Sequence, residues 1–476
     1  MHCELLIGGH FVGGPCDQSV GKSQHYAPYN GKLVGTAAEA GWPECNAALD
    51  SAIEVFAGWR RQPAHVVQNL LESIARLVDE RASELAELMS AEIGKPVTQA
   101  EAEVRRLSHT FRLAAQLPSQ ASPRIIDVSY DERSDGVVCT ASRVPIGPVL
   151  AIVPYNWPLN LAAHKIAPAL AAGNTVVVKA PTTGALSTLE LGRIIHEAGC
   201  PPGVVNFLNT PAALAQKCAL DERVKMVSFT GSPKVGWMLK EMLPRKRVSL
   251  ELGGDATCVV AEDGDWQTAA QKLVAGAFAY AGQICISAQH ILVHRSVYLE
   301  FKDRFLSLVE AIPTGDPLDR ETVCGPLITD EAAENVMALI DDAEESGATI
   351  LTGGHRVGRV VEPTVIENPT RSMRIGREEA FGPVVTLQPF ETDDEAIAWV
   401  NASQFGIHTA LWTADQNRWQ RYFSELETGG LIVNDSPSLR FDAMPYGGVK
   451  NSGFGREGVW STFLEMTEDK VQVLRL

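Results

Sequence analysis

The chain has 476 residues, of which 45% are apolar, and carries a formal net charge of −17 at pH 7. This length is too great for one ordinary hydrophobic core and predicts two to four domains. The acidic balance and the lack of a basic run argue against a nucleic-acid partner, because binding phosphates requires a positive surface.

The chain is expected to be a cytoplasmic protein that does not contact membranes. Its first residues, "MHCELLIGGHFVGG", lack the basic and apolar regions of a signal peptide, and no stretch approaches the roughly 18 apolar residues that span a bilayer. Nine cysteines are scattered without a C-x-x-C pair. This usage predicts reduced thiols rather than a disulfide framework, and no metal site.

Helices are predicted first along the chain, over residues 44–116, where "VVQNLLESIARLVDERASELAELMSAEIG" carries apolar positions three and four residues apart and ends at Gly94. The next segment, "RIIDVSYDERSDGVVCTASRVP", has two β-rich runs around a polar turn and is typical of a hairpin. We expect the helices to cover one face of a sheet and the hairpin to need a partner.

From Pro145 onward, buried strands alternate with helices, as in "GPVLAIVPYNWP" and "VKMVSFTGSPKVGWMLKEML". A second series of this kind follows Glu251, and the chain closes with the short apolar run "KVQVLRL", which can pair with the hairpin. Strands that alternate with helices predict the α/β class, with a nucleotide-binding type of parallel sheet.

Two polar residues follow strands of the predicted sheet. Lys179 ends the run "NTVVVK", at the sheet edge where α/β proteins bind ligands, although a lysine there can equally be solvated. Asn156 lies between two prolines in "VPYNWP", where its amide can face a reacting oxygen or satisfy the local backbone.

The segment "VSFTGSPKVG" predicts a helix start after a strand. Ser232 is a suitable N-cap, Pro233 a suitable first helical residue, and Gly236 permits close packing. Free N–H groups at such a start can bind a phosphate, although the pattern is not G-x-G-x-x-G and also fits an ordinary capped helix.

Glu251 and Cys285 are candidates for a base and a nucleophile. Glu251 ends the strand "RVSLELGG", where a carboxylate is either a base in a cleft or a surface charge. Cys285 lies among small and apolar residues in "GAFAYAGQICISAQ" and, taken singly, fits a buried inert thiol as well as a nucleophile.

Seven segments in order resemble the aldehyde dehydrogenase superfamily: "VPYNWPLN", "VVVKAPT", "FTGSPKVG", "LELGG", "GQICISAQ", "EEAFGPV" and "MPYGGVKNSGFGRE". The resemblance implies a Rossmann-like cofactor domain (1–118 and 143–252), an α/β catalytic domain (253–466) and a small β oligomerisation domain (119–142 and 467–476). It also implies a homodimer or homotetramer.

The resemblance assigns catalytic roles by motif. Cys285 matches the nucleophile, Glu251 the general base and Asn156 the asparagine that binds the oxyanion. The reaction implied is oxidation of an aldehyde to its acid through a thiohemiacetal and a thioester on Cys285.

The resemblance also implies that NAD or NADP is the cofactor, held by residues in the groove between the domains: Ile152, Pro154, Lys179, Thr182, Gly231, Ser232, Gly236, Glu379 and Phe381. Relatives that prefer NAD often carry glutamate three residues after the lysine, where this chain has Thr182. Because a carboxylate there would repel a 2′-phosphate, we expect NADP to be accepted and preferred.

The sequence limits the identity of the substrate less than it limits the type of reaction. Candidates for the aldehyde tunnel are Arg106, Arg112, His164, Ile284, Ile286 and Arg440. Arg106 and Arg440 fall where the similar non-phosphorylating glyceraldehyde-3-phosphate dehydrogenases bind phosphate, which favours a small polar or anionic aldehyde. Ile284 replaces another arginine of that branch, so an aliphatic aldehyde stays open, and both arginines can instead be salt-bridge partners.

Two other functions are compatible with the motifs. A relative that acylates coenzyme A, or one that phosphorylates, would resolve the thioester with another nucleophile, but Glu251 favours water. A catalytically silent protein on the same scaffold is the other alternative, which the presence of Cys285, Glu251 and Asn156 together argues against.

Overall fold

The computed structural model describes all residues from Met1 to Leu476. Its strands are β1 (His2–Cys3), β2 (Leu5–Ile7), β3 (His10–Val12), β4 (Gly21–Tyr26), β5 (Leu33–Glu39), β6 (Arg124–Ile126), β7 (Val137–Pro145), β8 (Val149–Ile152), β9 (Val176–Lys179), β10 (Val205–Leu208), β11 (Met226–Thr230), β12 (Arg247–Glu251), β13 (Thr257–Val260), β14 (His290–His294), β15 (Thr349–Thr352), β16 (Arg356–Val357), β17 (Val360–Val361), β18 (Thr364–Glu367), β19 (Val384–Phe390), β20 (His408–Trp412), β21 (Gly430–Val433), β22 (Gly453–Phe454) and β23 (Thr467–Arg475).

The helices are α1 (Trp42–Trp59), α2 (Ala64–Glu80), α3 (Ala82–Ile93), α4 (Val97–Ala115), α5 (Leu117–Gln120), α6 (Pro158–Ala171), α7 (Ala185–Glu197), α8 (Ala212–Leu220), α9 (Pro233–Met242), α10 (Trp266–Phe278), α11 (Tyr298–Glu310), α12 (Asp330–Glu345), α13 (Asp393–Asn401), α14 (Gln416–Glu425) and α15 (Val459–Glu465). None of them is long and apolar enough to cross a membrane. The predicted helical region is α1 to α4, and α3 ends at Gly94, whose φ of 71° is the left-handed conformation typical of a glycine C-cap.

The first large sheet has eight strands in the order β22-β12-β11-β8-β9-β10-β2-β3. Strands β12, β11, β8, β9 and β10 run parallel. Most of their residues are apolar and buried, as expected when helices cover both faces. Candidate residues Lys179 and Glu251 lie at the carboxyl ends of two of these strands.

The second large sheet has seven strands in the order β15-β18-β19-β14-β13-β20-β21. All but the edge strand β15 run parallel to their neighbours. Cys285 precedes β14 in a loop that follows a left-handed turn at Tyr280 and Ala281, whose φ values are both 51°. The α/β class with two sheets is therefore confirmed.

A third sheet of order β23-β7-β6 contains the predicted hairpin and the final strand. The antiparallel pairing of β23 with β7 extends from Thr467 opposite Pro145 to Arg475 opposite Val137. Strand β7 thus continues three residues past the predicted boundary at 142.

The predicted boundaries between the two larger domains also differ from the sheets at one place. Strand β22 belongs by sequence to the segment 253–466 but pairs with β12 of the first sheet, Gly453 opposite Glu251 and Phe454 opposite Leu250. Helix α15 follows it, and its Val459 and Phe463 pack into the hydrophobic core of the first sheet. The chain thus returns to the first sheet before it enters β23.

Candidate active site

A cavity of about 790 Å³ lies between the two large sheets. Residues from both sides line it, and the predicted ones among them are Arg106, Pro154, Asn156, Gly231, Ser232, Ile284, Cys285, Ile286, Glu379, Phe381 and Arg440. A pocket of this size that combines apolar walls with a few polar groups is the usual form of a small-molecule site.

Cys285 is partly exposed to this cavity, while the other cysteines apart from Cys16 are buried. Its Sγ lies 2.8 Å from the hydroxyl oxygen of Tyr446. Burial raises the pKa of the Cys285 thiol to about 12. The hydrogen bond from Tyr446 acts in the opposite direction but is the smaller effect. The resting thiol is therefore neutral and requires a base.

Asn156 is held by the loop that carries the cysteine. Its side-chain amide Nδ2 donates to the carbonyl oxygen of Gln283 at 2.8 Å, and its Oδ1 accepts the N–H of Trp157 at 3.1 Å. One hydrogen of the Nδ2 group is left for a ligand. The backbone N–H of Cys285 has no acceptor within the protein. The cavity thus offers two N–H donors close to the thiol.

Glu251 is 3% exposed, and neither of its carboxylate oxygens has a hydrogen-bond partner. Burial raises its pKa well above the ordinary value, and the charge of Glu457 raises it further. The positive charges of Arg440 and Lys165 lower this pKa but do not outweigh burial. A Cβ at Gly447 would lie 2.9 Å from Oε1 of Glu251 and 3.0 Å from the carbonyl oxygen of Gly455, so the chain packs closely around the carboxylate. An unpartnered buried carboxylate of raised pKa is suited to general base chemistry.

A buried ionic cluster lies next to Glu251. Glu457 accepts from Lys165 Nζ at 3.0 Å and from Arg440 Nη2 at 2.9 Å. Burial alone would raise the pKa of Glu457, but Lys165 and Arg440 outweigh it and hold this pKa at about 2. Glu457 is thus a fixed negative charge, whereas Glu251 can exchange a proton.

Two residues predicted to bind the dinucleotide follow strands of the first sheet: Lys179 ends β9, and Ser232 comes shortly after β11. Lys179 Nζ contacts only Thr182 Oγ1, at 3.3 Å, and forms no ion pair, while burial lowers its pKa to about 8. Helix α9 starts at Pro233 with Ser232 as N-cap, and the side chain of Ser232 makes no capping bond. A buried lysine without a counter-ion and a helix start with free N–H groups both fit phosphates.

The other cofactor candidates have packing roles or lie near the thiol. The Glu379 carboxylate accepts the N–H of Gly254 at 2.9 Å, and burial raises its pKa to about 8. Phe381 packs edge-on against Tyr155 and has a φ of 42°. Gly236 lets α9 approach Leu252, since a Cβ there would lie 2.3 Å from Cδ2. Ile152 is buried at the end of β8 and does not line the cavity.

Two predicted substrate residues do not reach the cavity, and this corrects the sequence analysis. The Arg112 side chain is 48% exposed on the outer surface of α4, where it pairs with Asp79 and Ser108. His164 is fully buried under the cavity wall, and its Nε2 lies 2.9 Å from Asp442. Both residues are on helices. The apolar periodicity of the sequence did not show which side of each helix faces the cavity.

Arg106 and Arg440 line the cavity, each beside one carboxylate. Arg106 makes two hydrogen bonds to Asp442, at 2.7 and 3.3 Å, and its side chain is 28% exposed. Arg440 bonds Glu457 and lies over the ring of Tyr446 at 3.8 Å, and its Nε has no partner. Nothing in the sequence pointed to these two carboxylates, Asp442 and Glu457, beyond their place in or near "MPYGGVKNSGFGRE".

Comparison with known proteins agrees with this geometry. The sequence profile described as "Aldehyde dehydrogenase family" matches residues 16–472. Aspartate-semialdehyde dehydrogenase 1 of Pseudomonas canavaninivorans is 37% identical over 449 residues, which cover 94% of this chain and 96% of that protein.

Two solved structures are similar over nearly the whole length. One is aldehyde dehydrogenase 21 from Physcomitrella patens in complex with the reaction product succinate (TM-score 0.96, 34% identity, 100% of this chain and 98% of that chain). The other is a glyceraldehyde-3-phosphate dehydrogenase from Methanocaldococcus jannaschii complexed with NADP (TM-score 0.91, 36% identity, 95% and 99%).

The fold and the cavity thus define an NAD(P)-dependent oxidoreductase. The chain belongs to the aldehyde dehydrogenase family. The family and reaction class predicted from the seven segments are confirmed, while the roles of individual residues and the domain boundaries stay predictions.

Proposed function

We propose that the chain oxidises a small polar aldehyde to its carboxylic acid, with Cys285 as nucleophile, Asn156 as oxyanion donor and Glu251 as base. The overall reaction consumes an aldehyde, NAD(P)⁺ and water and yields the acid, NAD(P)H and a proton. The observation that carries it is the neutral Cys285 thiol in a cavity with free N–H donors, together with the unpartnered carboxylate of Glu251.

The first step is attack of the Cys285 thiolate on the aldehyde carbon. The carbonyl oxygen becomes an oxyanion, which the free N–H of Asn156 Nδ2 and the Cys285 backbone N–H are suited to bind. Donors that are already in place cost no reorganisation during the reaction, and removing one typically lowers kcat ~10²–10³-fold.

The second half of the reaction is hydrolysis of the thioester on Cys285. Nicotinamide dinucleotide, when bound, supplies the hydride acceptor that makes this thioester possible. Glu251 then takes a proton from the attacking water, which adds to the thioester carbon and releases the acid and the thiol. The same carboxylate can deprotonate the thiol beforehand, because the raised pKa of Glu251 is closer to the pKa of Cys285 than an ordinary glutamate pKa would be.

NADP is the cofactor we favour. Lys179 is buried without a counter-ion, and Thr182 beside it leaves room and no negative charge to oppose a 2′-phosphate. The similar enzyme from Methanocaldococcus jannaschii was crystallised with NADP, which agrees with this choice.

The substrate we favour is a small aldehyde with an anionic group. Arg106 and Arg440 line the cavity, and the Nε of Arg440 is unpartnered, so the pair can hold a carboxylate or sulfonate. The names of the three similar proteins point the same way, since aspartate semialdehyde, succinate and glyceraldehyde 3-phosphate each carry a carboxylate or phosphate group that is ionised at neutral pH.

A self-associated state completes the proposal. The sheet of β6, β7 and β23 leaves Ile125 at 81% exposure and Val473 at 62%, which is unusual for apolar side chains on strands and fits a contact between copies of the chain. A cytoplasmic location stays a prediction from the sequence.

The function is tested with an aldehyde panel in which succinic semialdehyde, lactaldehyde and propanal are assayed with NAD⁺ and NADP⁺. We expect acid and reduced cofactor in equal amounts, and no such product with Cys285→Ala. If acid formation required added coenzyme A or phosphate, hydrolysis by Glu251 would be wrong. Activity that survives Cys285→Ala would exclude the cysteine mechanism.

A further inference from the structure

Tyr446 is placed against the reacting sulfur, and no role was assigned to it from the sequence. Its hydroxyl oxygen is 2.8 Å from Cys285 Sγ, and the residue itself is 3% exposed. It makes no other side-chain hydrogen bond, so this phenol has no alternative partner that would explain its buried polar atom.

The position of the ring is fixed on three sides. The backbone of Tyr446 exchanges two hydrogen bonds with Glu457, at 2.9 and 2.7 Å. The Arg440 guanidinium lies over the ring at 3.8 Å, and His408 packs edge-on at a centroid distance of 5.3 Å. His408 is in turn held by its Nδ1 contact with the Pro437 carbonyl at 2.8 Å. The phenol is therefore preorganised and cannot turn away from the thiol.

The chemistry of the contact changes with the state of the sulfur. A neutral thiol can donate its proton to the phenol oxygen, but a thiolate can only accept, and the phenol O–H then donates to it. A hydrogen bond to an ionised acceptor is roughly twice as strong as one between neutral groups. The contact therefore favours the thiolate over the thiol.

We propose that Tyr446 is a catalytic residue that donates a hydrogen bond to the Cys285 thiolate and so makes the buried nucleophile accessible to deprotonation. The proposal rests on the proposed role of Cys285 as nucleophile. Burial raises the pKa of the thiol, and without the phenol only the distant charge of Arg440 would oppose that rise. The hydroxyl supplies the direct contact that the apolar neighbours Ile284 and Ile286 cannot.

The phenol also limits the intrinsic reactivity of the sulfur. Stabilising a thiolate lowers its nucleophilicity, with a Brønsted coefficient of about 0.4–0.5. If removal of the hydroxyl raises the thiol pKa by about one unit, the thiolate fraction falls about tenfold while each thiolate reacts about threefold faster. The net loss in reaction rate at a pH below the pKa is then roughly threefold to fourfold.

The experiment measures the thiol itself and needs neither aldehyde nor cofactor. All proteins carry Cys16→Ser, because Cys16 is the exposed cysteine outside the site. The rate of release of thiopyridone from 4,4′-dithiodipyridine is followed across pH for the parent, for Tyr446→Phe and for Tyr155→Phe, with Cys285→Ala as the blank. Tyr155 is the matched control, since it lines the same cavity but its hydroxyl bonds Gln283 Oε1 rather than the sulfur.

We expect Tyr446→Phe to react about threefold to fourfold more slowly than the parent near neutral pH, with its pH profile displaced upward, and Tyr155→Phe to follow the parent. A Tyr446→Phe profile that matches the parent, or an equal displacement in Tyr155→Phe, overturns the proposal. Dehydrogenase activity is assayed separately, so a failure of the cysteine mechanism is distinguishable from a failure of the role of Tyr446.

Discussion

Glu251 is a buried carboxylate whose two oxygens have no hydrogen-bond partner. Its pKa is raised by burial and by the charge of Glu457, which is far away along the chain and approaches only in the fold. Burial excludes the surface charge that its place at the end of a strand left open, and the role of Glu251 as a base remains a proposal.

The raised pKa of Glu251 predicts a pH dependence of turnover. The base works only when ionised, so kcat should fall as the pH is lowered through the raised pKa, at a higher pH than an ordinary glutamate would give. In Glu251→Gln, turnover should be ~10²–10⁴-fold lower and should no longer fall as the pH is lowered. This variant should also show a burst of one reduced cofactor per site as the thioester accumulates. Stopped-flow absorbance of the reduced cofactor measures both effects. Because Glu251 can also take the proton of the Cys285 thiol, the outcome that would contradict its role as base is a variant that keeps the turnover and the pH dependence of the parent.

Asn156 gives a second prediction for a single residue. Asn156→Ala should lower kcat ~10²–10³-fold with a small change in KM, because the lost hydrogen bond forms mainly in the transition state. Asn160→Ala is the control, since Asn160 lines the same cavity but its amide donates to Asp442 at 3.1 Å. Equal losses in both variants would contradict a specific oxyanion role.

Thr182 carries the prediction about the cofactor. Thr182→Glu places a carboxylate beside Lys179, so the KM for NADP should rise about tenfold or more relative to the KM for NAD, by repulsion of the 2′-phosphate. Initial rates at varied concentrations of both cofactors measure the ratio. Thr183→Glu, on the next exposed residue, should leave the ratio unchanged. A strong preference of the parent for NAD would refute the prediction that this protein favours NADP.

At the scale of elements, the start of α6 depends on a buried carboxylate of α4. Glu103 accepts the N–H groups of Leu159 and Asn160, at 2.9 and 3.0 Å, and pairs with Lys95, which lies over the ring of Trp157. These bonds satisfy the first turn of α6, directly after Asn156. The periodicity of residues 44–116 predicted the helices, but it could not show that a charged residue at a helix position faces inward.

Glu103→Gln should therefore lower the free energy of unfolding by about 3–5 kcal/mol, because Lys95 would remain buried without its counter-ion. The control is Glu101→Gln on the same helix, whose exposed pair with Arg320 is worth at most about 1 kcal/mol. Urea denaturation followed by fluorescence compares the two. A stability loss in Glu103→Gln no larger than in Glu101→Gln would show that the buried pair contributes little.

For the whole molecule, the alternation of strands and helices was predictable from the sequence, but the order of the strands in each sheet was not. Alternating strands and helices predicted parallel sheets, and the apolar ending predicted a partner for the hairpin. The return of β22 to the first sheet was missed, because a two-residue strand has no periodicity to read. Long-range pairing of this kind is decided by packing rather than by local sequence.

The exposed apolar residues of the third sheet predict the oligomeric state. Val473→Asp should shift the molar mass in solution to a smaller species, since a charge would be buried at the contact. Val357→Asp is the matched control, because Val357 is 83% exposed on a hairpin elsewhere. Size-exclusion chromatography with light scattering measures the mass. An unchanged mass in Val473→Asp would place the contact on another surface.

The raised pKa of the Cys285 thiol has a consequence for its oxidation. Peroxides react with thiolates, so a sulfur whose pKa is raised to about 12 is a poor target while it keeps its proton. Seven of the other cysteines are buried, which leaves Cys16 as the exposed thiol. If Cys285 is the nucleophile proposed above, peroxide should inactivate the protein more slowly at rest than during turnover.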